Sequence, residues 1–489
     1  MLNLKSEIKL NQGETMYALD LANQSLEIAG KEWGEVHFEV ALTYELVGLI
    51  KSQHLNQYQD AKHAFEKSIE IKKQTTTVPE NGLAGPYANL GLISMKMGNY
   101  PQAVSYYQQS LDIQSRDSSQ NLLRLARTCG NLGNVYLKLR DPVHAIPQYQ
   151  RAIELFTSKL GISHPSIAIC YVNLATVYQQ RGEISKASIY YQRSMDIWTE
   201  NFGHSFVEVA FIHNNLGLLH MRLQDFQQAE DHFQKSLHIF KELYGEDHPY
   251  LAISYHNLGR LSRWQGQYEK AQRYHELGVD IDITYLGESH PDIAQAYGYL
   301  GSLFTAKGSH DQALHYYDQS LKIMQRTLPD NHPFLSDQFM NLGVVWTNVA
   351  QYERARTYYL KGFKSLNYHL EAPYDFAEVA DLRRLRTILT KYQNNLRITA
   401  REEQSDMWLD SMDLQYKVMV AFEDYLQIHH TDVDTRTLYA TESVPIYEGA
   451  IDHLLLRNRP KELPQTFTLA EKTKSRQLVE KLQFDADKS

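Results

Sequence analysis

An asparagine recurs along this chain at intervals of 42 residues or a multiple of 42. The positions are Asn89, Asn131, Asn173, Asn215, Asn257 and Asn341. Tyr299 occupies the one remaining slot, and Leu-Gly follows six of the seven positions, the exception being Leu174-Ala175. A period of this length is typical of a solenoid, in which a small helical unit stacks on its own copies because one unit cannot bury its apolar face. The period therefore predicts a function carried by a surface rather than by a catalytic pocket.

Three further series with the same period describe a second helix in each unit. Small residues recur at Ala61, Ala103, Ala145, Ala187, Ala229, Ala271, Ala313 and Ala355. Four residues later come the rings Phe65, Tyr107, Tyr149, Tyr191, Phe233, His275, Tyr317 and Tyr359. Another four residues later come Ile69, Leu111, Ile153, Met195, Leu237, Val279, Leu321 and Phe363. This spacing predicts one buried face of a helix.

Glycines and prolines divide the helices at regular points. The predicted turns inside the units contain Gly98, Gly182, Gly266 and Gly308. The links between units contain Gly161, Gly203, Gly245 and Gly287, followed in three of these cases by a His-Pro pair. The His-Pro histidines are His164, His248, His290 and His332, which we interpret as helix-start residues. Because glycine favours helix ends and proline favours helix starts, each unit is predicted as helix A, a tight turn and helix B, in an all-α fold.

This pattern resembles the tetratricopeptide repeat, in which Leu-Gly lies on helix A and alanine follows twelve residues after the glycine. The 42-residue period and the Gly-x-x-His-Pro links resemble the kinesin light chain variety. The resemblance spans about residues 10–366 and implies a right-handed superhelical α-solenoid of about eight units, preceded by a B-like helix over Tyr17–Ile28. We therefore divide the chain into a solenoid over 1–366 and a helical C-terminal module over 367–489.

The resemblance also implies a concave groove, lined by the A helices, that holds an extended peptide or partner protein. The candidate ladder of carboxamides is Asn131, Asn173, Asn215 and Asn257. Its candidate neighbours are Arg127, Asn134, Asn214, His256, Arg260 and Arg263, which would favour an acidic group or a C-terminal carboxylate. A carboxamide both donates and accepts, so a row of them can pair with a peptide backbone. The alternative is that the asparagines hydrogen-bond one repeat to the next, and both roles stay open.

Charge and cysteine content exclude several classes of function. The net charge is −9 and the charged residues are interspersed, so we expect no nucleic-acid partner. Two cysteines in so long a chain favour a reducing compartment. We find no apolar run of about 20 residues, and Met1–Leu10 carries charges where a signal peptide needs an apolar core, so we expect a cytoplasmic protein with no membrane partner. The oligomeric state stays open.

No pattern in the sequence predicts catalysis, a metal or a cofactor. His213 and His220 lie seven residues apart, and His429-His430 precede two aspartates, but neither group has the close histidine pair with a carboxylate of a metalloprotease helix. Phosphate loops, nucleophile elbows and kinase signatures are missing from the sequence. We therefore predict a protein that is not an enzyme.

Beyond Leu366 the period ends, and four helices are predicted over residues 375–392, 402–428, 439–456 and 466–482. Residues 443–450, SVPIYEGA, and 470–482, AEKTKSRQLVEKL, resemble the segment that joins tetratricopeptide arrays to CHAT domains, a caspase-like peptidase family. The chain ends seven residues after Leu482, and Cys129 and Cys170 lie within the repeats, so no catalytic residue carries over.

These observations predict a protein-interaction scaffold or sensor that binds a peptide or partner protein in its groove. The second resemblance adds the hypothesis that binding regulates a CHAT-type caspase-like peptidase. The alternatives are an intracellular peptide-pheromone receptor-type regulator and the non-catalytic N-terminal half of a peptidase. The receptor class usually carries an N-terminal DNA-binding motif or helical bundle, for which residues 1–30 are too short.

Overall fold

The computed structural model describes residues 2–75, 82–116, 122–328, 332–368 and 382–403. Within those ranges the chain forms nineteen α-helices and no β-strand, which confirms the predicted all-α class. The first ten helices are α1 (Leu2–Asn11), α2 (Thr15–Trp33), α3 (Phe38–Gln53), α4 (Tyr58–Gln74), α5 (Ala84–Lys96), α6 (Tyr100–Arg116), α7 (Leu122–Lys138), α8 (Pro142–Leu160), α9 (Pro165–Gln180) and α10 (Ile184–Phe202). The others are α11 (Val207–Arg222), α12 (Phe226–Tyr244), α13 (Pro249–Trp264), α14 (Tyr268–Leu286), α15 (Pro291–Lys307), α16 (His310–Thr327), α17 (Pro333–Asn348), α18 (Tyr352–Ser365) and α19 (Leu382–Glu403).

The chain divides into two compact units, Met1–Ile212 and His213–Ser489. In the first unit α1 packs on α2, α3 on α4, α5 on α6, α7 on α8 and α9 on α10. In the second unit α13 packs on α14, α15 on α16 and α17 on α18. From α3 to α18, the odd-numbered helices are the predicted A helices and the even-numbered helices the predicted B helices. The leading helix expected over Tyr17–Ile28 is α2, and it already has an A-like partner in α1, which the sequence pattern did not reveal.

Contact between glycine and a ring explains why two of the sequence series run in parallel. A methyl group added at Gly133 would lie 2.8 Å from Cε1 of Tyr149, and one at Gly217 would lie 2.5 Å from Cε1 of Phe233. Both rings are fully buried. Helix A therefore needs its smallest residue where the ring of helix B crosses it, because packed interiors leave no room for another carbon. Ala175 is the exception to this series.

The turn between helices A and B needs a left-handed backbone. Gly98 has φ +77° and Gly266 has φ +74°, as expected of a helix C-terminus. In the equivalent slots of other repeats the structure holds Asn56, Arg140, Gln224 and Ala350 at φ +54°, +56°, +59° and +58°. The turn geometry is thus set by the stacked helices, and four units adopt it without glycine.

Histidines start the A helices, as the sequence predicted. The Nδ1 atom of His164 accepts a hydrogen bond from the backbone N–H of Ser166 at 3.1 Å, with Pro165 in the first helical position. His248, His290 and His332 accept equivalent bonds. Each histidine satisfies one backbone donor that the helix start leaves without an internal partner.

The first helix after the repeats differs from its prediction. We predicted residues 375–392, whereas α19 spans Leu382–Glu403, so the predicted end at Tyr392 is wrong. Leu385, Leu389, Tyr392 and Leu396 are all buried, and α19 packs on α17 and α18. The buried apolar spacing thus continues beyond Tyr392 to Leu396. The other three predicted helices lie outside the described residues, apart from Glu402 and Glu403, as do the two CHAT-like segments, and the boundary at 366/367 stays a prediction.

Candidate functional site

The A helices of successive repeats contact one another and place the asparagine series on neighbouring elements. In the first unit α7 contacts both α5 and α9. In the second unit α15 contacts both α13 and α17. Polar side chains that lie on these helices are therefore brought together from repeats far apart in sequence.

Two of the candidate residues in the first unit hydrogen-bond to each other across repeats. The Asn173 side-chain amide on α9 donates to Oδ1 of Asn134 on α7 at 2.9 Å. The Tyr149 hydroxyl donates to the same oxygen at 2.8 Å. Asn134 thus joins its own helix pair to the next repeat, which is the structural role that the sequence left open for this series.

A buried polar network performs the same task in the second unit. The side-chain amide of Asn214 donates to Ser236 Oγ at 2.8 Å and to Ser254 Oγ at 3.2 Å. The amide of Asn257 donates to Asn214 Oδ1 at 3.2 Å. Since all four residues are buried, these bonds satisfy groups that would otherwise be costly to bury. Asn214 and Asn257 are therefore structural links between α11, α12 and α13.

Asn131 and Asn215 differ from these linking residues. Both side chains are half-buried, and neither makes a hydrogen bond within the part of the chain that the structure describes. Arg127, one turn before Asn131, is exposed on α7. The asparagine series thus separates into residues that hold repeats together and residues whose carboxamides are not engaged by any described residue.

His256 belongs to a buried cluster of aromatic and acidic side chains. Its Nε2 lies 3.1 Å from Oδ2 of Asp282, and its Nδ1 lies 3.3 Å from Nδ1 of His275. The Tyr299 ring packs against both histidines, at centroid distances of 5.4 and 5.6 Å. Burial, followed by the neighbouring His256, lowers the pKa of His275 well below its ordinary value. Neutral His275 therefore lies at the position where the other seven repeats carry Phe or Tyr.

A close glycine on each side holds the two histidine rings. A methyl group at Gly259 would lie 2.6 Å from Cε1 of His275, and one at Gly278 would lie 2.5 Å from Cε1 of His256. The first glycine belongs to the Leu-Gly series. The second occupies a slot that carries Ser110, Ser194 and Ser320 in other repeats, each donating to a carbonyl on the partner A helix. That serine series also has the 42-residue period and was missed in the sequence.

Arg260 and Arg263 open into a cavity of about 410 Å³ beside this cluster. Residues from α13, α14, α15, α16, α17 and α19 line the cavity. The Arg260 guanidinium lies 5.8 Å from the Tyr299 ring centroid and makes one long contact, 3.5 Å to Asn257 Oδ1. Burial lowers the pKa of Arg263, although an arginine stays charged at neutral pH. Tyr299, the one departure from the asparagine series, lines this cavity and is the feature of the sequence that marks its location.

The remaining titratable groups give no catalytic arrangement among the described residues. His213 Nδ1 lies 2.9 Å from His232 Nδ1, and His220 stacks on His232 at 5.4 Å. Within the described ranges no three His, Cys, Asp or Glu side chains are placed to hold a metal ion. Burial raises the pKa of both thiols, that of Cys170 to about 12. His429 and His430 lie outside the described residues.

None of the helices in the described segments combines the length and the apolar character that crossing a bilayer requires.

Fold and site together define an all-α repeat protein whose A helices present polar side chains. The tetratricopeptide repeat family matches residues 83–158, 124–200, 208–284, 261–326 and 292–366, more than half of the chain. The chain belongs to the tetratricopeptide repeat family, which confirms the resemblance drawn from its Leu-Gly and alanine series.

Several solved structures are similar to this chain. Apo RapI shares 15% identity over 74% of this chain and 96% of its own length, with a TM-score of 0.54. BtubC (BKLC) from P. vanneervenii shares 26% identity over 47% of this chain and 94% of its own, with a TM-score of 0.41. A putative kinesin light chain from Podosopora anserina with nearly identical TPR-like repeats shares 21% identity over 42% and 98%, with a TM-score of 0.36. The likeness to RapI concerns the fold, and no curated protein matches the chain.

Proposed function

We propose that this chain is a binding scaffold, without catalysis of its own, that holds an extended peptide segment of a partner protein along its A helices. The observation that carries the proposal is the division within the asparagine series. Asn173 and Asn257 are used inside the fold, whereas Asn131 and Asn215 offer carboxamides that no described residue engages. A residue kept polar and half-buried without an internal partner fits contact with a ligand backbone.

The bonded asparagines support the same function indirectly. They fix the spacing of neighbouring A helices, so the open carboxamides are held at defined positions before a ligand arrives. A preorganised side chain loses less conformational entropy on binding than a flexible one would. In this proposal, the linking and binding roles that the sequence left open belong to different residues.

The test begins with selection of peptides from a random library displayed on phage, using the full chain as bait. Asn131→Ala and Asn215→Ala are then compared with the wild type by calorimetric titration of the selected peptides. Loss of a neutral hydrogen bond predicts about threefold to tenfold weaker binding for at least one variant. The matched control is Gln272→Ala on B helix α14, which should leave the affinity unchanged.

Two results would count against the proposal. One is failure of the wild-type chain to select any peptide that binds it in solution. The other is binding that neither asparagine substitution changes while both variants keep the wild-type helix content. The second result would leave a binding protein but move its binding surface away from the A helices.

A regulatory role in a peptidase system is the more specific version of this function. It is carried by the resemblance of residues 443–450 and 470–482 to segments that precede CHAT domains. In that version a bound peptide would alter the activity of a CHAT-type peptidase. This version predicts that a CHAT peptidase is encoded beside the chain, and that adding the selected peptide to both proteins changes the rate at which a reporter protein is cleaved. An unchanged rate, with the two proteins still associated, would leave the scaffold without this regulatory role.

The peptide-receptor alternative and the cytoplasmic location also remain proposals. The receptor version would couple peptide binding to release of a second protein, and pull-downs with and without peptide distinguish it from a passive scaffold. Even charge distribution and two buried thiols support a reducing compartment. Cell fractionation with an antibody against the chain tests that location.

A further inference from the structure

The cavity beside α13 holds two guanidinium groups that form no ion pair with the described residues. Arg260 and Arg263 lie one turn apart on α13, and both line the cavity. The Arg263 guanidinium makes no hydrogen bond or ion pair within the described part of the chain. Arg260 has its long contact with Asn257 and its position over the Tyr299 ring. A half-buried positive charge without a counter-charge is costly, so this pair is suited to an anionic ligand group.

The other charges around the cavity sharpen that expectation. The Arg384 Nε lies 3.0 Å from both carboxylate oxygens of Asp337, so these two residues neutralise each other. Asp292 also lines the cavity. Three arginines against two aspartates leave a formal charge of plus one on the lining. One added negative charge brings the lining to neutrality, which favours a carboxylate over a doubly charged phosphate.

Two buried hydrogen-bond acceptors indicate that the ligand carries a donor group as well as a negative charge. Gln338 is 6% exposed and its Oε1 has no hydrogen-bond partner. His275 is fully buried and its Nε2 also has none. Both residues line the same cavity. With His256 donating from Nε2 to Asp282, the shared Nδ1 contact assigns a proton to Nδ1 of His275 and leaves its Nε2 as an acceptor.

The cavity therefore offers cationic donors on α13, the Tyr299 hydroxyl on α15, and acceptors on α14 and α17. A peptide residue can supply both complementary groups, an anionic oxygen for the guanidinium groups and an N–H for the two acceptors. At about 410 Å³ the cavity is large enough for one such residue, since pockets for small ligands begin at roughly 300 Å³.

We propose that this cavity binds one carboxylate-bearing residue of the peptide ligand, with Arg260 and Arg263 holding the carboxylate and Gln338 accepting from a ligand N–H. The proposal rests on the proposed peptide-binding function and adds the chemistry of one position. The carboxylate comes either from an Asp or Glu side chain or from the C-terminus of the ligand.

The test uses the peptides selected by the wild-type chain. Each is synthesised with its acidic residue intact, with that residue changed to the matching amide, with phosphoserine there, and with an amidated C-terminus. We expect removal of the bound carboxylate to weaken binding about tenfold to a hundredfold, as for a hydrogen-bonded charge. Whether the side-chain or the C-terminal change has this effect identifies the source of the carboxylate.

Variants of the chain complete a double-mutant cycle. Arg263→Met should weaken binding of the acidic peptide by a similar factor and leave the affinity for the amide peptide nearly unchanged. Arg273→Met, an exposed arginine on α14 outside the cavity lining, is the matched control and should change neither. Thermal melts check that Arg263→Met folds, and removal of a poorly solvated charge should not lower its melting temperature.

The outcomes separate this inference from the function on which it rests. Peptides that bind through Asn131 or Asn215 but show no dependence on a carboxylate or on Arg263 would overturn the cavity assignment and leave the scaffold intact. Tighter binding of the phosphoserine peptide would show that the cavity prefers a phosphate and would overturn the assignment of a carboxylate. Failure to select any peptide would overturn both proposals.

Discussion

Alanine substitutions at two glycines of helix α7 should have opposite effects on stability. Gly133 lies in the Leu-Gly series, and an added Cβ would lie 2.8 to 3.0 Å from three carbons of the Tyr149 ring. Gly130, one turn earlier, would place its Cβ with no atom within 4 Å. The two changes are chemically identical and share one helix, so they differ only in the space around the new methyl group.

The magnitudes follow from two terms. Replacing a glycine inside a helix with alanine contributes about 1 kcal/mol of stability through backbone entropy. Overpacking costs up to about 3 kcal/mol where the neighbour cannot move, and Tyr149 is fully buried with its hydroxyl bonded to Asn134. Gly130→Ala should therefore stabilise by about 1 kcal/mol, and Gly133→Ala should destabilise by about 2 kcal/mol.

Urea unfolding followed by circular dichroism measures this difference of about 3 kcal/mol between the two variants. Comparable slopes of the unfolding transitions are needed, because a repeat array can unfold in stages. Equal stability of the two variants would refute the argument that the Tyr149 ring dictates glycine. The same result would remove the physical explanation of the Leu-Gly series.

The remaining predictions concern a turn, a buried network and a histidine. Ala350→Gly should raise stability by about 1 kcal/mol in a thermal melt, because Ala350 has φ +58°, whereas a left-handed backbone disfavours any side chain; a lower melting temperature would contradict this. Asn214→Ala should destabilise by about 1 to 3 kcal/mol in urea by leaving Ser236 and Ser254 without its amide, whereas Asn215→Ala should have almost no effect. Burial, with a smaller contribution from His220, lowers the pKa of His232 to about 4 from 6.5. Between those pH values the unfolded chain binds a proton that the folded chain does not. The free energy of unfolding should therefore decrease by roughly 2 kcal/mol as the pH is lowered from 6.5 to 4, allowing for partial solvent screening. His232→Phe should flatten that slope in urea titrations, and an unchanged slope would show that His232 does not cause it.

The helical repeat was predictable because its signals are local and repeated. A glycine needed beneath a ring and a histidine at a helix start each recur with the same period, so every copy supports the others. The first helix α1 had no such support, because its sequence is mostly polar and its buried Ser6 forms a bond to the Ala18 carbonyl that no pattern announces. Helix α19 lies outside the period, and its end was misplaced for the same reason.

The candidate site was predictable in position but not in role. The period placed asparagines on the A helices, yet it could not tell which of them bond to each other. Asn173 bonds to Asn134, which lies 39 residues away, and Asn257 bonds to Asn214, which lies 43 residues away, so neither contact follows the 42-residue interval. The cavity depends on Arg384 from outside the repeats and on Tyr299 in place of an asparagine. Such a site is formed by residues that differ from their counterparts in other repeats, so the pattern that the repeats share does not predict it.

Photo-crosslinking with a selected peptide tests the central claim most directly. The peptide would carry a benzophenone beside its acidic residue, and mass spectrometry of the crosslinked full chain would locate the attachment. Ligand binding on the A helices, with the carboxylate in the cavity, predicts attachment within the cavity-lining helices α13 to α17 or α19 that excess unlabelled peptide abolishes. Specific attachment to α8 or α12, B helices that contribute no residue to the cavity, equally abolished by competition, would contradict it.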